Sequence, residues 1–255
     1  PRRQSRGPVR QVPDTGAVDT LRRGDHSDRM RVSVLGPVEV DGQGGTLGPR
    51  DRVVLAVLSL RHRAPVRAET VASALWRDEP PPSAPKVVQG CVVRLRKALG
   101  AGAIVTTPAG YRLELHHDEI DAVVFEDLAA RARHLLATGQ ADRTAYLADR
   151  ALALWRGDPY ADLAEWFPAY PEIDRLTELR KDVEELRAGA LLELGSHEEL
   201  VPELLAQVGA QPDREHRWAM LALAQYRCGR QAEALETLKR ARHHLVSSLG
   251  VDPGP

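Results

Sequence analysis

Between Arg31 and Val40 small runs of β-favouring residues alternate with polar ones, broken at Gly36-Pro37. This texture predicts one or two short strands, followed by turn chemistry at Asp41-Gly42 and Gly44-Gly45. Pro49 then stands at a first helical position, and Val53, Val54, Ala56, Val57, Leu58 and Leu60 follow it. The spacing predicts a helix over 50–61. A second, short helix is expected from Ala68 to Trp76. It cannot run through Pro80-Pro81-Pro82, because proline has no amide donor and a fixed φ. Ser83 is the expected cap of a third helix that runs to Leu99 and stops at Gly100. Two β runs, 103–107 and 111–115, turned by Pro108-Ala109-Gly110, close the unit.

After residue 115 the periodicity becomes helical throughout. Helices are expected over 122–138 (capped by Asp121 and ended by Gly139), 142–156 (ended by Gly157) and 171–194 (ended by Gly195). Three more are expected over 197–209, 213–228 and 231–249. Gly195 and Gly229 lie 34 residues apart, the tetratricopeptide period, and Gly139 lies 56 before Gly195, as if 22 residues were inserted. Trp155, Trp166, Trp218 and Tyr226 are expected to fill the repeat core. The fold class is therefore mainly α with a small β component. An N-terminal winged helix-turn-helix (30–115) is followed by an all-α tetratricopeptide-like helical repeat domain (116–255). Residues 1–29, with proline and glycine throughout and aperiodic apolar residues, read as a disordered tail. The chain opens on Pro1, so either it is a fragment or Met30 begins the folded part.

Charge divides the chain in the same place. The formal net charge of −1 conceals +3 over 1–29, +5 over 30–115 and −9 over 116–255. A basic unit followed by an acidic one suggests different partners, with a polyanion for the first. The acids of the second half are expected on solvated helix faces. No run of 18 apolar residues occurs, and no signal-peptide pattern opens the chain. Cys91 and Cys228 make neither a disulfide framework nor a zinc set, and a cytoplasmic, nucleoid-associated location is expected. No P-loop, HExxH or Gly-x-Ser-x-Gly pattern is present, and His116-His117 and His243-His244 read as surface pairs. No metal, cofactor or catalytic residue is expected.

The third helix carries the candidate chemistry. At 100° per residue, Ala84, Val88, Val92, Leu95 and Leu99 form a core stripe. Opposite lie Lys86, Gly90, Val93 and Lys97, flanked by Gln89, Arg94 and Arg96. Such a face suits a major groove: Lys and Arg meet guanine acceptors or phosphates, Gln89 pairs with adenine, and Val93 meets a thymine methyl. A solvated basic face explains the same pattern. The hairpin tip, Thr106 to Arg112, offers hydroxyls and a cation to the backbone.

The run Val92-Val93-Arg94-Leu95-Arg96-Lys97-Ala98-Leu99-Gly100 resembles the OmpR/PhoB-like winged helix. Other motifs narrow the match: Leu35-Gly36-Pro37-Val38, Ala74-Leu75-Trp76, Gly110-Tyr111-Arg112-Leu113, Ala153-Leu154-Trp155-Arg156-Gly157 and Tyr226-Arg227-Cys228-Gly229-Arg230. With Leu249-Gly250-Val251-Asp252-Pro253-Gly254-Pro255 they resemble the Streptomyces antibiotic regulatory proteins (SARPs) and their bacterial transcriptional activation domain (BTAD). The resemblance implies an activator that binds direct repeats in double-stranded promoter DNA as a side-by-side homodimer. It implies recruitment of RNA polymerase, control of secondary-metabolite clusters, and no membrane partner. It assigns DNA contacts to Arg94, Arg96 and Lys97, wing contacts to Thr107 and Arg112, and a polymerase-facing loop to Arg77, Asp78 and Glu79. Gly90, Cys91, Val93 and Thr107 depart from the family's usual Thr, Tyr or His, Ser or Thr, and Arg. A changed operator and weakened DNA recognition are both open. So are two other readings: a helical-repeat interaction module, and the regulatory N-terminal part of a larger multidomain regulator.

Overall fold

The computed structural model describes residues 32–41, 47–77, 79–250, 252 and 254. The expected tail, Met30, the Gly42–Gly45 turn and Asp78 lie outside the described residues. Strands β1 (Val32–Ser33) and β2 (Glu39–Val40) pair antiparallel. Helices α1 (Pro49–Leu60), α2 (Ala68–Trp76) and α3 (Ala84–Leu99) follow. The wing is β3 (Ile104–Thr107) against β4 (Gly110–Leu113), in antiparallel register from Ile104↔Leu113 to Thr107↔Gly110. Tyr111 also exchanges both backbone bonds with Val66, at 2.7 and 2.9 Å, which ties the wing to the α1–α2 connection. Ser83 does not cap α3 through its side chain; its backbone is already helical. The first turn is anchored instead by Ala84 N–H on the Pro81 carbonyl, 2.8 Å.

Six helices make the second half: α4 (Asp121–Ala137), α5 (Ala141–Leu152), α6 (Tyr170–Leu194), α7 (His197–Ala210), α8 (Glu215–Arg227) and α9 (Gln231–His244). They form tetratricopeptide-like hairpins. Each hairpin reverses at a left-handed glycine: Gly139, Gly195 and Gly229, with φ of 72, 87 and 78°. The next amides, of Gln140, Ser196 and Arg230, each donate to the carbonyl five residues back, at 2.9–3.0 Å. This is the Schellman closure, which needs positive φ at that position. The chain after α9 continues as a π-helical turn, Leu245–Leu249.

The wider spacing after Gly139 has a specific cause. α5 ends at Leu152 and not at 156, and residues 153–169 fold back onto the winged helix through two 3-10 turns. Gly157 therefore ends no helix; it lies against Gly36 and Pro37. Gly36 sits so close that a Cβ there would be 3.0 Å from the Arg156 Cβ. Arg156, Tyr160 and Ala161 N–H donate to the carbonyls of Leu35, Val34 and Gly36. The Asp162 carboxylate accepts Val38 N–H at 2.8 Å and Arg52 Nε at 2.8 Å. Asp121, expected as a cap, is the first residue of α4 and is 1% exposed. Its carboxylate accepts the amides of Val34 (2.7 Å) and Leu35 (3.0 Å), besides its neighbour Ala122 (2.7 Å).

The apolar packing runs on through residue 116. One core joins Val34, Leu55, Leu95 and Leu113 to Phe125, Leu147, Leu163, Leu176 and Val183. A second begins within α6 at Ala188 and Leu192 and takes in Leu204, Trp218 and Leu221. Trp155 meets Phe125 edge-on at 5.2 Å, and Trp166 Nε1 donates to Ser73 Oγ at 3.2 Å. Tyr226 departs from its expected core position and is 59% exposed, because α8 turns that face to solvent. Nor are the acids of α6 simply solvated. Glu184 and Glu185 hold the buried Arg217, and Glu178, Asp182 and Glu185 hold Arg214.

Candidate nucleic-acid interface

Helix α3 presents two chemically distinct sides. Ala84, Val88, Cys91, Val92, Leu95 and Leu99 are buried. Lys86, Gln89, Val93, Arg94 and Lys97 are exposed, and Gly90 and Arg96 half-buried. Val93, 58% exposed, stands between Gln89 and Lys97 on one face. Among the described residues neither Lys86 nor Lys97 makes an ion pair.

The two arginines are engaged within the winged helix. Arg94 is bidentate to Asp51 of α1: Nε–Oδ2 is 2.8 Å and Nη2–Oδ1 2.7 Å. Asp51 is buried, and burial alone would raise its pKa; hydrogen bonds from Arg94 and the Cys91 thiol, with the Arg94 charge, outweigh this and hold it below the usual carboxylate value. The Cys91 thiol is pushed up to about 11 by burial and by the Asp51 carboxylate. It remains a thiol at neutral pH, which agrees with a packing role. Arg96 donates from Nε to the Ile104 carbonyl and from Nη2 to Thr106 Oγ1, both at 2.8 Å. It thereby fixes the wing against α3.

On the wing, Thr107 Oγ1 donates to the Gly110 carbonyl (3.0 Å) and accepts Ala109 N–H (3.2 Å), so it shapes the tip. Arg112 pairs with Glu114. Gly110 is required: a Cβ there would fall 2.0 Å from the Val66 carbonyl oxygen. Arg77 and Glu79 are exposed at the end of α2, and Arg77 pairs with Glu165 of the docking segment. The site thus brings Lys86, Gln89, Val93, Arg94, Arg96, Lys97, Thr107 and Arg112 together around α3 and the wing, while Arg77 and Glu79 lie at a separate junction. Sequence reasoning missed Asp51, although a carboxylate heading an apolar helix run was the available signal. Among the described residues no group of three His, Cys, Asp or Glu could hold a metal ion. Nor is any helix long and apolar enough to cross a membrane.

Residues 120–255 match the family described as the bacterial transcriptional activator domain. The regulatory protein AfsR of Streptomyces griseus is 36% identical over 90% of this chain, which spans about a quarter (24%) of AfsR. The regulatory protein DnrI of Streptomyces peucetius is 32% identical, with 88% of each chain covered. The structure of Mycobacterium tuberculosis EmbR in complex with a low-affinity phosphopeptide is similar with a TM-score of 0.80 and 30% identity. The similarity covers 89% of this chain and 62% of that one. With a winged helix ahead of the activator-domain match and near end-to-end similarity to DnrI, the chain belongs to the SARP family of transcriptional regulators.

Proposed function

We propose that the protein is a sequence-specific activator that lays α3 in the major groove of promoter DNA and its wing on the adjacent backbone. The carrying observation is the exposed Lys86–Gln89–Val93–Lys97 face on a helix whose other side is buried. Lys86 and Lys97 meet phosphate or guanine, Gln89 reads adenine, and the Val93 methyls meet thymine. Arg94 and Arg96 offer only their remaining N–H groups, and Thr107 and Arg112 serve the wing. Residues 30–115 are the DNA-reading unit and residues 116–255 the activating one. Two copies bind direct repeats side by side, and the junction around Arg77, Asp78 and Glu79 faces RNA polymerase. The resemblance supports a secondary-metabolite cluster as target, a cytoplasmic location and no catalytic activity.

Fluorescence-anisotropy titrations over a salt series test this, with the native upstream promoter and a scrambled duplex of equal length. Promoter preference should persist near physiological salt. Lys97→Ala should weaken binding and reduce the salt slope by about 1, as expected for one lost phosphate contact. Arg230→Ala, on the far repeat, should do neither. Equal, salt-labile binding of both duplexes would overturn the reading and favour a protein-docking role for the winged helix.

A further inference from the structure

The first helical hairpin carries a cavity that DNA recognition does not use. It has a volume of about 360 Å³ and lies between α4 and α5. Ala130, Leu135, Leu147 and Tyr146 form its apolar part; Arg131, His134 and Arg143 form its charged part. Among the described residues no carboxylate lines it. The volume falls within the ordinary range of small-molecule sites, about 300–1,000 Å³.

Two independent features indicate what would occupy it. The first is the aromatic wall. Tyr146 is 45% exposed between buried Ala145 and Leu147, so about half of its surface remains available to a ligand. Arg150 stands 6.0 Å from the ring centroid. The second is charge. Residues 116–255 hold 25 acids against 16 Arg and Lys, and most of those cations already face carboxylates. Arg133, Arg175, Arg180, Arg187, Arg214 and Arg217 all do so. Arg131 and Arg143 have no carboxylate partner among the described residues; Arg143 donates only to the Gln140 side chain, at 2.8 Å. Two cations without carboxylate partners among the described residues, beside a half-exposed ring in an acidic domain, complement an anion joined to an apolar body.

We infer that this cavity binds a small amphipathic carboxylate, with its apolar body between Tyr146 and Leu135 and its carboxylate on Arg131 and Arg143. A guanidinium fork matches a carboxylate in geometry as well as in charge. The cavity extends over only about two turns of each helix, which suits a small molecule better than a docked helix. None of its lining residues belongs to α3 or the wing, so its occupancy is measurable without DNA.

Isothermal titration calorimetry of the full chain with dodecanoate, below micelle formation, tests the site, with dodecanol as the uncharged probe of equal chain length. Saturable one-to-one binding of dodecanoate is expected, weakened at least tenfold by the double substitution Arg131→Ala and Arg143→Ala and by Tyr146→Ala. Dodecanol should bind at least tenfold more weakly than dodecanoate. Circular dichroism and unchanged promoter titration of the variants establish that they are folded. No saturable binding to the wild type would overturn the inference. So would equal binding of the two probes, or dodecanoate binding that the double substitution leaves intact. An acidic peptide that binds here when dodecanoate does not would likewise replace the small-molecule assignment.

Discussion

Asp51 and Arg94 show how one buried carboxylate organises an exposed helix. The pair bridges α1 and α3 with two charge-assisted bonds of 2.7 and 2.8 Å. Bonds of this kind are individually worth about 1.5–3 kcal/mol. Because the folded state holds the Asp51 pKa down, its contribution is fully present above the unfolded-state value, near 4, and disappears as pH falls through the folded value. Asp51→Asn should cost about 2 kcal/mol at pH 7, and the gap to wild type should narrow as urea melts are repeated below about pH 4. A gap independent of pH would mean that the ionised carboxylate is not what stabilises. Arg94 stands in a basic face that reads as groove-facing in sequence. Its partner lies 43 residues away, and no local periodicity reports such a contact.

The wing illustrates the same distinction for an element. β3 and β4 are legible from their β-rich runs and from Pro108-Ala109-Gly110, but not the antiparallel bridge between Tyr111 and Val66 that anchors them. Gly110 lies at that bridge with φ of 127°. Gly110→Ala must shift the Val66 carbonyl and strain the backbone, at about 2 kcal/mol, which lowers Tm by about 4–8 °C. Gly102→Ala, a position with nothing within 4 Å, should be near neutral in the same melt; equal losses would refute the close approach as cause. Helix existence was legible throughout because apolar spacing and glycine stops are local signals. The exact end of α5 was not, since Trp155 and Arg156 continue an apparently helical run. What ends it is the docking of Arg156 and Tyr160 onto β1 and its turn, a contact between segments over a hundred residues apart. Tyr226 fits a core stripe by spacing, yet among the described residues that side of α8 is left exposed.

At the scale of the molecule, the winged helix and the first repeat share a core and a hydrogen-bonded seam. The motifs Leu35-Gly36-Pro37-Val38 and Leu154-Trp155-Arg156-Gly157, separate in sequence, are the two sides of that seam. Asp121 is its most buried polar group. Asp121→Ala leaves the Val34 and Leu35 amides without their acceptor, at about 1–3 kcal/mol each. Chemical denaturation should show a loss of about 3 kcal/mol or more in a transition that melts winged helix and first repeat together. A loss under about 1 kcal/mol, or independent melting, would show the seam to be incidental. Along α1, consecutive residues reach different neighbours: Asp51 grips Arg94 of α3, and Arg52 grips Asp162 of the helical half. The two halves are therefore joined as a bracket and not as beads on a string. If α3 is seated in a groove as proposed, a bracket would fix an azimuth: the helical half would project from one side of the duplex only. On that reading, moving the bound site by half a helical turn would carry the projection to the opposite side, where the hydrogen-bonded seam would hold it.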